Sequence, residues 1–166
     1  MQVPLDLLFH GTDAAISTFR PFSHFGTREQ ALFRVRTLAK LGSEDGALRL
    51  YPVRLTLTRP LRVDDVGDFD SAGDFADGLE RVRPTRFRGL ASAAIEAVDR
   101  SPADYAVEGE ARGFALIARA LADAGYDGIC YRNDWEGEGF SWMNLRSDQA
   151  TIMGSPEFRP LPVNAP

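Results

Sequence analysis

The sequence predicts a mixed α+β domain built on a small, strongly bent or split sheet, with a helical insert at about 68–110. Three observations predict it. Residues 51–58 alternate: Tyr51, Val53, Leu55 and Leu57 point one way while Arg54, Thr56 and Thr58 point the other, as in a half-buried strand. Residues 110–124 place Phe114, Ile117, Ala118, Leu121 and Ala122 on one helical face, and Gly125 supplies a C-terminal cap. The overall order is strand, helix, strand, helical insert, helix and then several strands.

The elements follow in chain order. Leu7, Leu8 and Phe9 form a short apolar strand ended by His10-Gly11-Thr12. Residues 13–26 read as irregular, broken by Pro21. Thr27-Arg28-Glu29-Gln30 has the form of a capping box, in which a hydroxyl and a side-chain amide satisfy the first helical N–H groups. Ala31, Val35, Leu38 and Ala39 then share a helix face, and Gly42 is a stop. Pro52 places residue 52 at the start or edge of the next strand. Residues 64–74 read as an acidic solvated loop, because the spacing and closing glutamate of a calcium loop are absent. Ser71 to Asp74 cap a helix carrying Phe75, Leu79 and Val82. A basic patch over 81–88 breaks at Pro84, and a second helix runs from Leu90 to Val98. Ser101 to Asp104 form a turn. Strands are expected at 126–132, 140–145 and 150–153. One domain over 1–153 precedes a Pro-rich, weakly ordered tail at 154–166.

Bulk properties restrict the function. With 166 residues, 44% hydrophobic and 26% charged, the chain can bury a single core. A net charge of −5 argues against stable binding of nucleic acid, which calls for a basic footprint. The one cysteine, Cys130, sits in an apolar run and reads as a small buried hydrophobe. One Cys and two His cannot assemble a Cys/His zinc cluster. The first residues lack the basic start and apolar run of a signal peptide, and no stretch is long enough to span a bilayer, so a cytoplasmic location without membrane contact is expected.

Three places concentrate unusual chemistry. At His10-Gly11-Thr12, glycine lets a ligand approach the backbone and the imidazole offers a hydrogen bond to a hydroxyl. At His24-Phe25-Gly26-Thr27, a helix start favours anionic groups and Phe25 offers a face for a planar ring. In 131–142, YRNDWEGEGFSW, Glu136 and Glu138 alternate with Gly137 and Gly139 between two strands. Asn133, Trp135, Ser141 and Trp142 around those carboxylates read as a pocket rather than a solvent tip.

In this order the motifs carry a family signature. The chain resembles small ADP-ribosyltransferase-like proteins of phages and mobile elements, including ADP-ribosyltransferase domains of phage polyvalent proteins and the anti-CRISPR ADP-ribosyltransferase. The matching pieces are LFHGT (8–12), HFGTREQAL (24–32), YPVRLTLTRPLRVDDVG (51–67) and ALADAGYDGICYRNDWEGEGFSWMNLRSDQATI (120–152), about half the chain. The resemblance implies an ADP-ribosyltransferase-like fold and NAD⁺ as co-substrate. It implies a mono-ADP-ribosyltransferase, a glycosyltransferase in class, that modifies a protein acceptor. A phage-encoded counter-defence role in the host cytoplasm, against a host defence complex, is the implied setting. His10 would bond a ribose of NAD⁺ and the Gly11 backbone would hold the nicotinamide carboxamide, with Thr12 beside them. His24, Phe25, Gly26 and Thr27 would shape the nicotinamide and phosphate side. Tyr131, Asn133 and Ser141 complete the cofactor-binding set. Glu136 would be the catalytic carboxylate, with Glu138 second.

The chain departs from the family pattern in two ways. The Glu-x-Glu element, Glu136-Gly137-Glu138, precedes its strand, and the tyrosine of the His-Tyr-Glu class is not assignable, with Phe25 or Tyr51 as the stand-ins. The alternatives are an NAD⁺ glycohydrolase, a nucleic-acid ADP-ribosyltransferase on the same fold, or a non-catalytic binding inhibitor using the basic patch and the insert.

Overall fold

A computed structural model describes residues 3–41, 47–64, 71–100 and 106–160. The expected stop at Gly42, the body of the acidic loop at 65–70, the turn at 101–104 and the tail from residue 161 lie outside the described residues. The chain is mixed α+β, in the order β1 (Val3–Thr12), β2 (His24–Phe25), α1 (Arg28–Leu41), β3 (Ala47–Leu57), β4 (Pro60–Val63), α2 (Ala72–Val82), α3 (Leu90–Asp99), α4 (Ala106–Asp123), β5 (Gly128–Arg132), β6 (Phe140–Asn144), β7 (Ala150–Ile152) and β8 (Glu157–Pro160). It divides into two compact units, Leu61–Asp127 and the remainder.

The first unit holds two small sheets. In one, β3 lies between β1 and β7, and β8 also pairs with β3. In the other, β6 lies between β2 and β5. The alternation read in 51–58 is realised: Tyr51, Val53, Leu55 and Leu57 are buried, and Arg54 and Thr56 are exposed. The buried set packs with Phe19, Phe25, Cys130 and Trp142 in one core cluster, so the two sheets share apolar faces. Ala31 and Val35 of α1 form a second cluster with Leu48 and Leu50. The first sheet continues at its far end into β8, so part of the segment expected to be a weakly ordered tail is a paired strand.

Pro52 departs from its expected place, since it sits in the middle of β3, a central strand. The hydrogen-bond pattern explains how. Pro52 lies opposite Phe9, whose N–H and C=O both pair with Gly26 on the other edge of β1. Phe9 and Pro52 are therefore a non-hydrogen-bonded pair, and the Pro52 nitrogen faces the opposite edge of β3. There β8 pairs with residues 47–50 and β7 with 53–55, leaving the missing N–H at the break between them.

The second unit is mostly helical. Ser71 caps α2, its hydroxyl accepting the Asp74 N–H at 3.0 Å, and Phe75 and Leu79 are fully buried as their spacing predicts. Helix α4 starts a turn earlier than its apolar face requires. It ends on Gly125 at φ 83°, with Gly125 N–H to Ala122 and Tyr126 N–H to Leu121, the paired bonds of a Schellman cap. Among the described residues no helix is long and apolar enough to cross a membrane.

Candidate functional site

The first turn of α1 organises the site. Thr27 is its N-cap: the hydroxyl accepts the Gln30 N–H at 3.2 Å, and the Gln30 side-chain carbonyl accepts the Thr27 N–H at 2.8 Å. This is the capping box read in the sequence. A Cβ at position 26 would lie 2.3 Å from that carbonyl oxygen, so Gly26 is what lets the cap close.

The Gln30 amide has a second task that the sequence pattern does not announce. Its Nε2 donates to the backbone carbonyls of Asn133 at 3.3 Å and Gly137 at 3.2 Å, and its oxygen accepts the Ser141 hydroxyl at 3.3 Å. The Asn133 side chain donates to Ser141 Oγ at 2.9 Å and to Glu136 Oε2 at 2.7 Å, and accepts the Glu136 N–H at 3.0 Å. Gln30, Asn133 and Ser141 are all buried, and each amide uses every donor and acceptor of its side chain. A buried polar network satisfied in this way is rigid. It terminates on one partly exposed carboxylate, that of Glu136.

The alternating glycines have a backbone reason. Gly137 has φ 147° and Gly139 φ 121°, conformations that L side chains rarely adopt. The loop returns at once to pairing, with the Asn133 N–H on the Gly139 carbonyl at 3.0 Å. Glu138 is exposed, and its side chain bonds none of the described residues. The structure thus separates the two glutamates: Glu136 is held and Glu138 is not.

Side-chain alternation sorts the remaining candidates. On β5 and β6, Tyr131 lies opposite Ser141 and Cys130 opposite Trp142, while on β2 and β6 His24 lies opposite Met143 and Phe25 opposite Trp142. Paired residues share a face and neighbours alternate. His24, Tyr131 and Ser141 therefore line one face, continued by Asn133, whereas Phe25, Cys130 and Trp142 line the other, in the core. Phe25 is 1% exposed and meets Phe19 edge-on at 5.0 Å, so its ring is occupied by the core rather than offered to a planar ligand. Trp135, at 85% exposed, and Trp142, in the core, do not form the pocket that their closeness in sequence implied.

The histidines are linked. The His10 ring Nδ1 meets the His24 carbonyl at 2.7 Å. A carbonyl only accepts, so Nδ1 carries the proton, and in the neutral ring Nε2 is left as an acceptor. His24 Nδ1 meets the Tyr131 hydroxyl at 2.8 Å, a pairing across the sheet that the sequence did not announce. Tyr51 instead uses its hydroxyl to accept the Ile16 N–H at 3.1 Å. Burial, then the positive field of Arg34, pushes the His10 pKa below 6.5; its bond to the His24 carbonyl acts in the opposite direction. Burial, His10 and Arg34 lower that of His24 to about 4. Both rings are neutral at pH 7.

The sign of that shift gives a stability prediction. Between pH 6.5 and about 4 the unfolded chain protonates His24 and the folded chain does not. Stability is therefore undiminished above pH 6.5 and falls as pH drops through this window, by on the order of 3 kcal/mol at full expression. Urea midpoints at pH 7 and pH 4.5 should fall more steeply for the wild type than for His24→Gln. Equal slopes would remove His24 as the source.

Gly11, unlike Gly137 and Gly139, is required by close packing rather than by a positive φ. A Cβ there would lie 2.3 Å from the Ala31 carbonyl oxygen and 2.9 Å from Val35 Cγ2, so glycine is needed for α1 to sit against β1. Its backbone groups follow the alternation set by Phe9: they face the outer edge of β1, not β3. They therefore take no part in the β1–β3 ladder. Gly26 differs, because its N–H and C=O are both taken by Phe9, at 3.0 and 2.9 Å. Thr12 accepts the Ala14 N–H at 3.1 Å and shapes the turn leaving β1. Gly11 and the Glu136 loop thus meet consecutive residues of α1, Ala31 and Gln30.

Comparison with protein-family models, with curated proteins and with solved structures finds no match.

Proposed function

We propose that the chain is an NAD⁺-dependent mono-ADP-ribosyltransferase with an ADP-ribosyltransferase-like fold, acting on a protein acceptor. The observation that carries this reading is the pinned Glu136 carboxylate, fixed by Asn133 in a loop whose Gly137 carbonyl is held by Gln30 of α1, the helix that also packs against Gly11.

The chemistry of the donor set fits such a co-substrate in part. NAD⁺ supplies an electrophilic sugar carbon and nicotinamide as the leaving group. Cleaving that bond builds positive charge on the sugar, as in glycoside hydrolysis. A carboxylate held rigidly nearby stabilises that charge as it develops, or takes a proton from the incoming nucleophile. Glu136 suits that task because the Asn133 amide orients it at little further entropic cost. The unprotonated Nε2 of His10 suits a sugar hydroxyl. The Gly11 N–H and C=O suit a carboxamide, which needs one acceptor and one donor. Neutral His10 and His24 avoid placing two further cations beside a developing cation. Three carried-over contacts do not suit direct binding: Phe25 is in the core, the Gly26 backbone is paired, and Ser141 is spent on Gln30 and Asn133. Those residues shape the site from behind. A counter-defence role on a host complex rests on the resemblance alone.

The test is to incubate the protein with labelled NAD⁺ and host proteins, and read intact masses. A gain of one ADP-ribose unit on an acceptor supports the proposal. Free ADP-ribose without acceptor reassigns the activity to hydrolysis. No labelled acceptor, no free ADP-ribose and no calorimetric heat with NAD⁺ together reject it in favour of a binding protein.

A further inference from the structure

Gln30 has one side chain and two structural duties. Its oxygen closes the helix cap on the Thr27 N–H, while its Nε2 holds the Asn133 and Gly137 carbonyls of the Glu136 loop. The residue is 1% exposed, so water cannot readily replace any of these bonds. A capping residue at this position needs only an acceptor, and glutamate serves as well as glutamine. The two amide donors are thus surplus to the cap. Both reach one loop, which contains Gly137 and Gly139 at positive φ, where glycine is unstrained but conformationally free, so the loop would otherwise sample many other conformations.

We infer that Gln30 is a positioning residue for Glu136: it makes the start of α1 and the carboxylate loop order as one unit. The inference rests on the transferase reading for its catalytic consequence, but the coupling itself is independent of it. Gln30 touches no reacting group. It acts through the Asn133 backbone, whose side chain binds Glu136, and through Gly137, the next residue along.

Two substitutions separate the duties. Gln30→Glu keeps the capping oxygen and loses both donors; Gln30→Met keeps much of the volume and loses cap and donors alike. The first readout is amide hydrogen exchange by NMR. In Gln30→Glu, the Glu136 and Asn133 amides should lose protection about 10-fold or more, because their bonds lie within the loop. The α1 amides of Ala31 and Val35 should stay within about 3-fold. A buried glutamate has a raised pKa and regains one donor on protonation, so loop protection in Gln30→Glu should recover in part from pH 8 to pH 6.5. In Gln30→Met, loop and helix start should both lose protection, with no such recovery.

The second readout is transfer from NAD⁺. Gln30→Glu should lower kcat about 10- to 100-fold with KM for NAD⁺ within about 3-fold, since misplacement of a catalytic group acts on the transition state. The inference is overturned if the Glu136 amide keeps its protection in both variants, or if Gln30→Glu loosens α1 as much as the loop. Should Gln30→Glu fail to fold, Gln30→Met with the loop unchanged overturns it equally. A wild-type protein that transfers nothing would remove the transferase reading, and the exchange result would still decide the coupling.

Discussion

Glu136→Gln is expected to lower ADP-ribose transfer from NAD⁺ by about 100- to 1000-fold, the range for removing a charge aimed at a developing transition state. That corresponds to about 3–4 kcal/mol of barrier. The substitution is nearly isosteric, and its side-chain oxygen can still accept from Asn133 Nδ2, whose bond to Glu136 is 2.7 Å. The site is partly exposed and outside the core clusters, so the thermal midpoint should move by less than about 2 °C. Loss of rate without loss of fold is the signature of a charge effect. Glu138→Gln should change the rate by less than about 3-fold, because that carboxylate is exposed and unheld. Transfer assays on both variants with labelled NAD⁺, alongside melting curves, provide the check. Equal activity of Glu136→Gln and wild type would end the proposed mechanism. A large loss at Glu138 and none at Glu136 would move the carboxylate by two residues.

Phe25→Ala should cost about 3–5 kcal/mol of stability, the usual range for truncating a buried aromatic. For a chain of this size the thermal midpoint should fall by roughly 6–20 °C. The ring is 1% exposed, packs edge-on to Phe19 at 5.0 Å and lies 5.9 Å from the His10 ring. Removing it leaves a cavity where the two sheets share their core. Phe25→Leu should recover most of the stability by refilling that volume. A ligand-stacking aromatic would behave in the opposite way, with weakened NAD⁺ affinity and a nearly unchanged midpoint. Chemical denaturation of the two variants, with calorimetric titration of NAD⁺ where they fold, distinguishes the roles.

Local patterns were legible wherever a short-range rule sets the outcome. The alternation from Tyr51 to Leu57 is a two-residue period imposed by the strand backbone, and the buried set follows it residue by residue. The Thr27–Gln30 box, the Ser71 cap and the Gly125 stop arise from bonds spanning five residues or fewer, so the residues that form them are adjacent in the text. The choice of Glu136 over Glu138 drew on Asn133 and Trp135 lying on its side of the loop: Asn133 does bond Glu136, whereas Trp135 is 85% exposed. Cys130 as a buried small hydrophobe followed from its apolar run.

What the sequence could not settle was which face each residue takes and what meets it from afar. His24 and Phe25 are neighbours with opposite fates, because a two-residue strand turns one to the face it shares with Tyr131 and Met143 and the other to the core cluster of Phe19 and Trp142. Tyr131 becomes the partner of His24 across 107 positions, and Gln30 the partner of Gly137 across the same separation. Pro52 is tolerated inside a central strand only because two other strands stop on either side of its missing N–H. Composition and local spacing determined an acidic α+β chain with capped helices and a glycine-flanked carboxylate. Which helix residue clamps the carboxylate loop, which tyrosine meets His24 and which side chains are buried behind them was decided by long-range pairing, since strand register assigns faces and contacts that no short window of residues contains.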